Sequence, residues 1–477
     1  MSCIQRGQEP ALPLRFFEQI SAIPRASLHE ERIADYLARF ASERGLDCVR
    51  DAAHNVLVRK AGSVGREGEP PILLQAHTDM VTEVKFGKRH DFLTQGVTLL
   101  QEGNLLRADD TTLGADDGLG VALMLAVLDR DDLSHPPLEC LFTAAEEIGL
   151  VGAGAFDYTQ LRAQRMINFD AADERVIITG CCGGVRSDFT VPFAFESAKG
   201  EGLRLTLSGL CGGHSGEDIH MGRANALTLM GKVLERLRAA TDFRLAWLSG
   251  GDKTNAIPRS CEAVLLPADL SAAERALGAV QRELAALAPA PVDAACTLAV
   301  TREPIARVMR ACDTDAALAV LAVRNGVFYW REEGKLPDTS RNLARVRTED
   351  GALAFAFSSR SPSDARLEEC ASELDALAAT LDGTTRHYAR YPGWESATGS
   401  PLSLAWQAAW REATGLPICE TVIHAGLECG VIAAHIPHLD VISVGSNAHD
   451  LHTPRESAEL DSFARVYETL CKCLCNV

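Results

Sequence analysis

No stretch of this 477-residue chain reaches the roughly 18 apolar residues needed to span a bilayer, and the longest candidates are short runs such as VALMLAVL at 121–128. A membrane is therefore not an expected partner. The start, MSCIQRGQEPALP, lacks a charged stretch followed by an apolar core, so no export signal is expected from it. Positive charge is also in short supply: 47 Lys and Arg stand against 65 Asp and Glu, a formal charge of −18. That field repels phosphate backbones and anionic lipid, which argues against nucleic acid as a partner. The 15 cysteines lack regular spacing, and the CxCxC tail at Cys471, Cys473 and Cys475 matches no common zinc motif. They read as reduced thiols of a cytoplasmic protein. A GxGxxG turn after the first buried strand is missing too; HTDMV stands there, against a nucleotide-binding α/β reading.

What is present is the composition of a folded protein, 47% apolar and 23% charged, over a length that suggests two or three domains. Apolar positions recur at helical spacing from Leu14 to Phe40, and HNVLVRKAG (54–62) alternates as a strand. PPILLQAHTDMV (70–81), LECLFTAAEEIG (138–149) and RMINFDA (165–171) read as buried strands with polar ends, and GLGVALMLAVL (118–128) as a helix between them. Strands alternating with helices predict an α/β domain with a mainly parallel sheet, whose sites gather at the strands' carboxyl ends.

Beyond the turn GCCGG (180–184) the pattern changes, and a βαββα order occurs twice. The first copy runs from GLRLTLSGL (202–210) to the helix 271–287. The second runs from CTLAVTREP (296–304), through VFYWREEG (327–334), to the helix 364–381. RYPGW (390–394) reads as a linker, after which the chain returns to the first domain. The expected layout is a catalytic domain of residues 1–187 and 395–477 with an inserted α+β domain of residues 188–394.

Each polar strand end has an ordinary reading when taken alone. An HxD at His77 and Asp79 places two side chains on one strand face and means little more. The pair in GADDGLG (114–120) reads as a helix cap beside a turn aspartate. Glu146-Glu147 in TAAEEIG reads as two solvated charges at a strand end. Joined by Asp170 in NFDA and His452 in HDLHTPRE, they form a mixture of imidazoles and carboxylates suited to a borderline metal such as zinc, in a number that suits two ions sharing a bridge.

The ordered set LLQAHTDMV, LGADDGLG, TAAEEIG, NFDA and HTPRE resembles the two-zinc aminopeptidase-like family that contains carnosinases, aminoacylases and tripeptidases, and the likeness is greatest to its dipeptidases. GCCGG, GLCGGHSGEDIHMGRANA (209–226), KTNAIP (253–258) and VIHAGLECG (422–430) extend the resemblance over nearly the full length. It implies two divalent ions, zinc first, with manganese or cobalt accepted by similar donors. His77 and Asp170 would hold one ion, Glu147 and His452 the other, and Asp116 would bridge them. Glu146 would be the general base, Asp79 would orient His77, and His214 would reach the substrate carbonyl from the lid. In this scheme a bridged water, its pKa lowered to about 7, gives hydroxide, and Glu146 relays the proton to the leaving amine. His214, Asn255 or a metal would stabilise the oxyanion.

Arg360, ending ALAFAFSSR, is the candidate for gripping a substrate carboxylate; its ordinary reading is a surface arginine. His424 and Glu428 in HAGLECG would line the substrate site, with Glu428 meeting the free ammonium. The implied activity is hydrolysis of unblocked dipeptides, including Xaa-His types such as β-Ala-His. The rivals are an N-acyl amino acid deacylase of the same family and a catalytically silent binding protein. Family members with a single lid unit dimerise through it, so a homodimer is a further expectation. The doubled lid suggests that the first copy, with His214 and Asn255, imitates a partner's lid within one chain.

Overall fold

The computed structural model describes residues 9–331, 336–395 and 398–477, so the end of the predicted strand 327–334 lies outside the described residues. The chain divides into two units: Met1–Cys181, Trp394–Ile423 and Leu427–Val477 form the first, and Cys182–Gly393 with His424–Gly426 form the second. No helix among the described residues is long and apolar enough to cross a membrane.

The first unit is built on an eight-stranded sheet in the order Asp47–Arg50, Val56–Lys60, Leu138–Thr143, Ile72–His77, Arg165–Asn168, Asp440–Ser443, Val176–Cys181, Cys419–Ile423. Its four central strands, from Leu138–Thr143 to Asp440–Ser443, run parallel. Two of them, Ile72–His77 and Leu138–Thr143, are buried at every position, which is why their sequences are nearly continuous apolar runs and do not alternate. The helix Ala115–Leu128 is apolar all round and buried at every residue except Asp116, as a helix enclosed by its neighbours must be. Apolar clusters lie on both faces of the sheet, one around Phe17, Met124 and Trp406, the other around Leu73, Met166 and Ile432. Parallel pairing brings His77 level with Thr143, and Gln75 level with Asn168, so the segments that follow emerge along one edge.

The helical spacing from Leu14 to Phe40 does not give one helix. Two form, Ala11–Ser21 and Glu31–Glu43, because Pro24 has no N–H to donate and its ring clashes with a preceding turn. The interrupting loop carries two buried charged side chains, Arg25 and Glu30, which are 2% and 1% exposed.

In the second unit a sheet runs in the order Thr297–Met309, Phe195–Ser208, Cys261–Pro267, Phe243–Gly250, Leu336–Glu349, Ala352–Ser361, Gly183–Pro192, Thr384–Tyr391, with Gly326–Arg331 beside Leu336–Glu349. Helices Ala226–Arg238, Leu270–Leu287, Ala311–Leu321 and Asp364–Thr380 contribute Met230, Leu277, Val320 and Leu374 to one apolar core with Phe189 and Phe355. The two halves meet where Gly250 pairs with Val346. This order corrects the repeat boundaries. The strand expected to open the second copy, within Thr297–Met309, pairs with Phe195–Ser208 and closes the first half. The strand that opens the second half is Gly183–Pro192, which pairs with Ala352–Ser361 just as Phe195–Ser208 pairs with Cys261–Pro267. One half is therefore nested inside the other. Strand periodicity is identical whichever partner a strand takes, so the nesting leaves no local signal.

Candidate metal centre

His77 ends its strand 1% exposed, and Asp79 follows fully buried. Asp79 Oδ1 lies 3.3 Å from His77 Nδ1. The same carboxylate accepts the amide N–H of Glu146 at 3.0 Å, that of Glu147 at 3.3 Å, and the Ser27 hydroxyl at 2.7 Å. Asp79 thus fixes the ring of its neighbour and also the backbone of the doubled glutamate. Chain direction assists: Ala145 adopts φ +52 directly after the strand, turning the two glutamates out of the sheet. Glu30 accepts the Ala145 N–H at 2.9 Å and holds that turn.

Asp116 stands at the kinked start of its helix with non-helical φ −80 and ψ 115. Its Oδ1 lies 2.9 Å from His77 Nε2, and its Oδ2 lies 3.1 Å from His452 Nε2. One carboxylate therefore faces two imidazoles with different oxygens. His452 Nε2 is also 3.0 Å from Glu147 Oε1, and His77 Nε2 is 4.0 Å from Asp170 Oδ1. Three donor groups have their atoms within 4.8 Å of one another: His77, Asp116 and Asp170; Asp116, Glu147 and His452; His77, Glu146 and Glu147.

The electrostatics favour a cation in this place. Burial, then the neighbouring Asp116, raises the Asp170 carboxyl well above the usual range. Burial raises Glu146 likewise, with Glu147 adding to it. Desolvation opposes charge on His77, but hydrogen bonds donated to Asp116 and Asp79 outweigh it and raise the pKa. Hydrogen bonds to Asp116 and Glu147 push His452 up to about 11. Acids this crowded cannot all ionise unless positive charge stands among them. Glu147 Oε1 is buried, with the His452 ring its one close polar neighbour among the contacts described. The donor mixture fits divalent metal ions.

Glu428 is placed differently from the expected ammonium contact. It is 1% exposed, beneath the sheet, where its Oε2 accepts Gln75 Nε2 and Thr143 Oγ1, each at 2.6 Å, and Gln75 Oε1 accepts Asn168 Nδ2 at 2.7 Å. A substrate ammonium cannot reach a carboxyl enclosed in this way. Burial raises its pKa from 4.5 to about 7. A carboxyl that holds its proton more tightly when folded contributes stability below 4.5 that is lost as pH rises through 7. Urea unfolding of metal-free protein should show Glu428→Gln gaining about 3 kcal/mol relative to the parent between pH 4.5 and 8; an unchanged difference would refute the assigned burial.

In the second unit, His214 pairs with Ala256, beside Asn255, whose carbonyl accepts the Ser215 N–H at 2.8 Å. His214 Nδ1 accepts the Glu217 amide N–H at 3.2 Å, which leaves Nε2 to carry the ring proton. Asn255 is exposed. Arg360 is 8% exposed, donates from Nη1 to the Tyr391 hydroxyl at 3.0 Å, and keeps a buried Nε without a hydrogen-bond partner. His424 is enclosed, with Nδ1 3.0 Å from Cys182 Sγ and Nε2 2.7 Å from Ser340 Oγ. Burial first, then Arg360, lowers its pKa to about 3, so it is neutral at physiological pH. Its ring is committed to these two partners and not to an incoming substrate.

Sequence reasoning missed several residues that build the centre. Asp117 Oδ2 accepts the His77 N–H at 3.2 Å, and Glu456 accepts the N–H groups of Leu113, Gly114 and Ala115. The signals available were the second acid of ADD and the acid closing HTPRE; Arg25 and Ser27 had none, since their partners lie far along the chain.

Comparison with known proteins supplies independent findings. A family model described as Peptidase family M28 matches residues 55–180, and one described as Peptidase dimerisation domain matches 205–290. The chain is 34% identical over 472 residues to the cytosol non-specific dipeptidase of Escherichia coli, covering 96% of each. Its fold is similar to that of aminoacylhistidine dipeptidase from Vibrio alginolyticus, with a TM-score of 0.85 and 31% identity over 98% of this chain and 97% of that one. Aminopeptidase PepT from Bacillus cereus shares the fold at a TM-score of 0.57 and 15% identity, each chain covered to 98%.

Proposed function

The chain belongs to the M20 peptidase family, whose dimerisation-domain model matches residues 205–290, together with the cytosol non-specific dipeptidase, and from that premise we propose a dinuclear dipeptidase of the cytoplasm that cleaves unblocked dipeptides, Xaa-His types such as β-Ala-His among them. As a member it is a metal-dependent peptide-bond hydrolase. The observation that carries the site reading is the Asp116 carboxylate facing His77 and His452 at once, with Asp170 and Glu147 beside them; the substrate class is supported by the likeness to two dipeptidases.

In this reading His77 and Asp170 would hold one ion, Glu147 and His452 the other, and Asp116 would serve both, zinc being the first expectation and manganese or cobalt fitting the same donors. Bound there, the ions supply Lewis acidity and a water acidic enough to lose its proton near neutrality. Glu146 would be the general base, accepting a proton at its carboxylate and returning it to the leaving amine. Asp79 fixes the His77 ring and the Glu146 amide together, so base and ligand keep one spacing. His214, Asn255 or a metal would stabilise the developing oxyanion. Arg360, with its unpartnered Nε, takes the substrate carboxylate. The match to a dimerisation domain supports self-association, for which we propose a homodimer.

A panel of β-Ala-His, Ala-His and N-acetyl amino acids tests the substrate class. Turnover of the free dipeptides is expected, and turnover of the blocked substrates alone would make the protein a deacylase. Metal analysis of active protein is expected to find two ions per chain.

A further inference from the structure

We propose that Arg25 is a positioning residue of the metal centre, tying the Asp79 segment to the Asp116 turn so that the donors keep their spacing before any ion arrives. The proposal rests on the reading of that cluster as a metal site.

The guanidinium reaches both segments. Nη1 donates to the carbonyls of Thr78 and Asp79, each at 3.0 Å, and Nη2 donates to the carbonyl of Gly114 at 2.5 Å. The backbone of the same loop adds a second tie, since the Arg25 carbonyl accepts the Met80 N–H at 3.1 Å. From the other side Glu456 accepts the Gly114 N–H at 3.1 Å, so the peptide groups flanking Gly114 are gripped by a cation and by an anion. The glycines of LGADDGLG make room for this. A Cβ on Gly114 would stand 2.4 Å from Arg25 Nη2, and one on Gly118 would stand 2.6 Å from it. The spacing of glycines around the acid pair is thus cut to fit a guanidinium as well as to open a helix.

The charge has its own meaning. Arg25 is buried, and Glu456, Asp79, Asp117 and Asp116 all act on it. A buried cation unable to lose its proton in water is placed next to carboxylates that would otherwise repel one another. It repels incoming metal as well, so its net effect on affinity distinguishes two roles. If Arg25 acts mainly through its charge, removing it tightens metal binding. If it acts by holding the two segments in register, removing it loosens binding.

The test measures zinc dissociation constants of the full chain by competition with a chromophoric chelator, with circular dichroism of the metal-free protein as the check on folding. Arg25→Lys keeps the charge but replaces the two-nitrogen fork that spans both segments with a single nitrogen; Arg25→Met removes the charge. Both are expected to weaken zinc binding by roughly 10- to 100-fold, the cost typical of losing an outer partner of a ligand. The KM for the dipeptide, read at saturating zinc, should stay within about twofold of the parent, since the effect lies in the metal. Gly118→Ala, which crowds the guanidinium most, and Phe17 beside it, without altering any charge, should weaken zinc binding in the same direction and keeps the test available if the Arg25 variants do not fold. Zinc affinity unchanged in Arg25→Lys and Gly118→Ala, or raised in Arg25→Met, would overturn the proposal. Failure of the parent to bind zinc at all would instead refute the metal-site reading beneath it.

Discussion

Glu146→Gln is expected to lower kcat for an unblocked dipeptide by about 10²- to 10⁴-fold, the range that positioned proton transfer supplies, and to leave two metal ions per chain. The substitution keeps shape and hydrogen-bonding capacity while removing the ability to accept a proton from water. The hydrogen bond that the Glu146 backbone N–H donates to Asp79 does not depend on the side chain, so the TAAEEIG turn stays in place. Metal content is the decisive companion measurement, because Glu146 also falls within one of the three donor groups. Retention of both ions with lost turnover assigns the base; loss of an ion would make Glu146 a ligand. Full hydrolysis by Glu146→Ala would remove it from the chemistry altogether.

The larger effect is expected at Asp116. Its two oxygens face His77 and His452, so Asp116→Ala removes an acceptor shared by both halves of the centre. Zinc affinity should fall by more than the roughly 10- to 100-fold that loss of an outer partner costs. The mass-spectrometric metal content should drop below two ions per chain, and hydrolysis should not recover on adding zinc. A variant that keeps two tightly held ions would show that the bridge is supplied elsewhere. The comparison with Arg25→Lys is informative, since one removes a donor and the other only the brace behind it.

Much of this centre could be read from the chain because parallel strands place their carboxyl ends together. Once 72–77, 138–143 and 165–168 are recognised as buried strands, HTD, EE and D must share an edge. The supporting residues were not legible for a related reason. Arg25 contacts backbone carbonyls, which every residue possesses, so nothing in the sequence near Thr78 or Gly114 marks them as its partners. Glu428 misled in the opposite sense: its neighbours in HAGLECG suggested a substrate contact, but helix Glu428–His435 turns it under the sheet toward Gln75 and Thr143. His424, four residues earlier, is committed to Cys182 and Ser340, partners that only the second unit's fold brings close. The repeat was visible as an order of elements, whereas its boundaries depended on which strands pair.

That nesting has a consequence for how the second unit is made. Strand Gly183–Pro192 leaves the ribosome before the whole of the other half, yet its neighbours, Ala352–Ser361 and Thr384–Tyr391, come last. The intervening half, from Phe195–Ser208 to Thr297–Met309, finds its strand partners within itself except for the Gly250–Val346 pair and can close early. The early strand must wait, with Phe189 and Val191 exposed until its partners arrive. Long-range pairing of this kind slows folding and leaves an unpaired edge open to other chains. Synthesis of this unit therefore has a vulnerable interval, and it begins at the strand that finally holds the second half together.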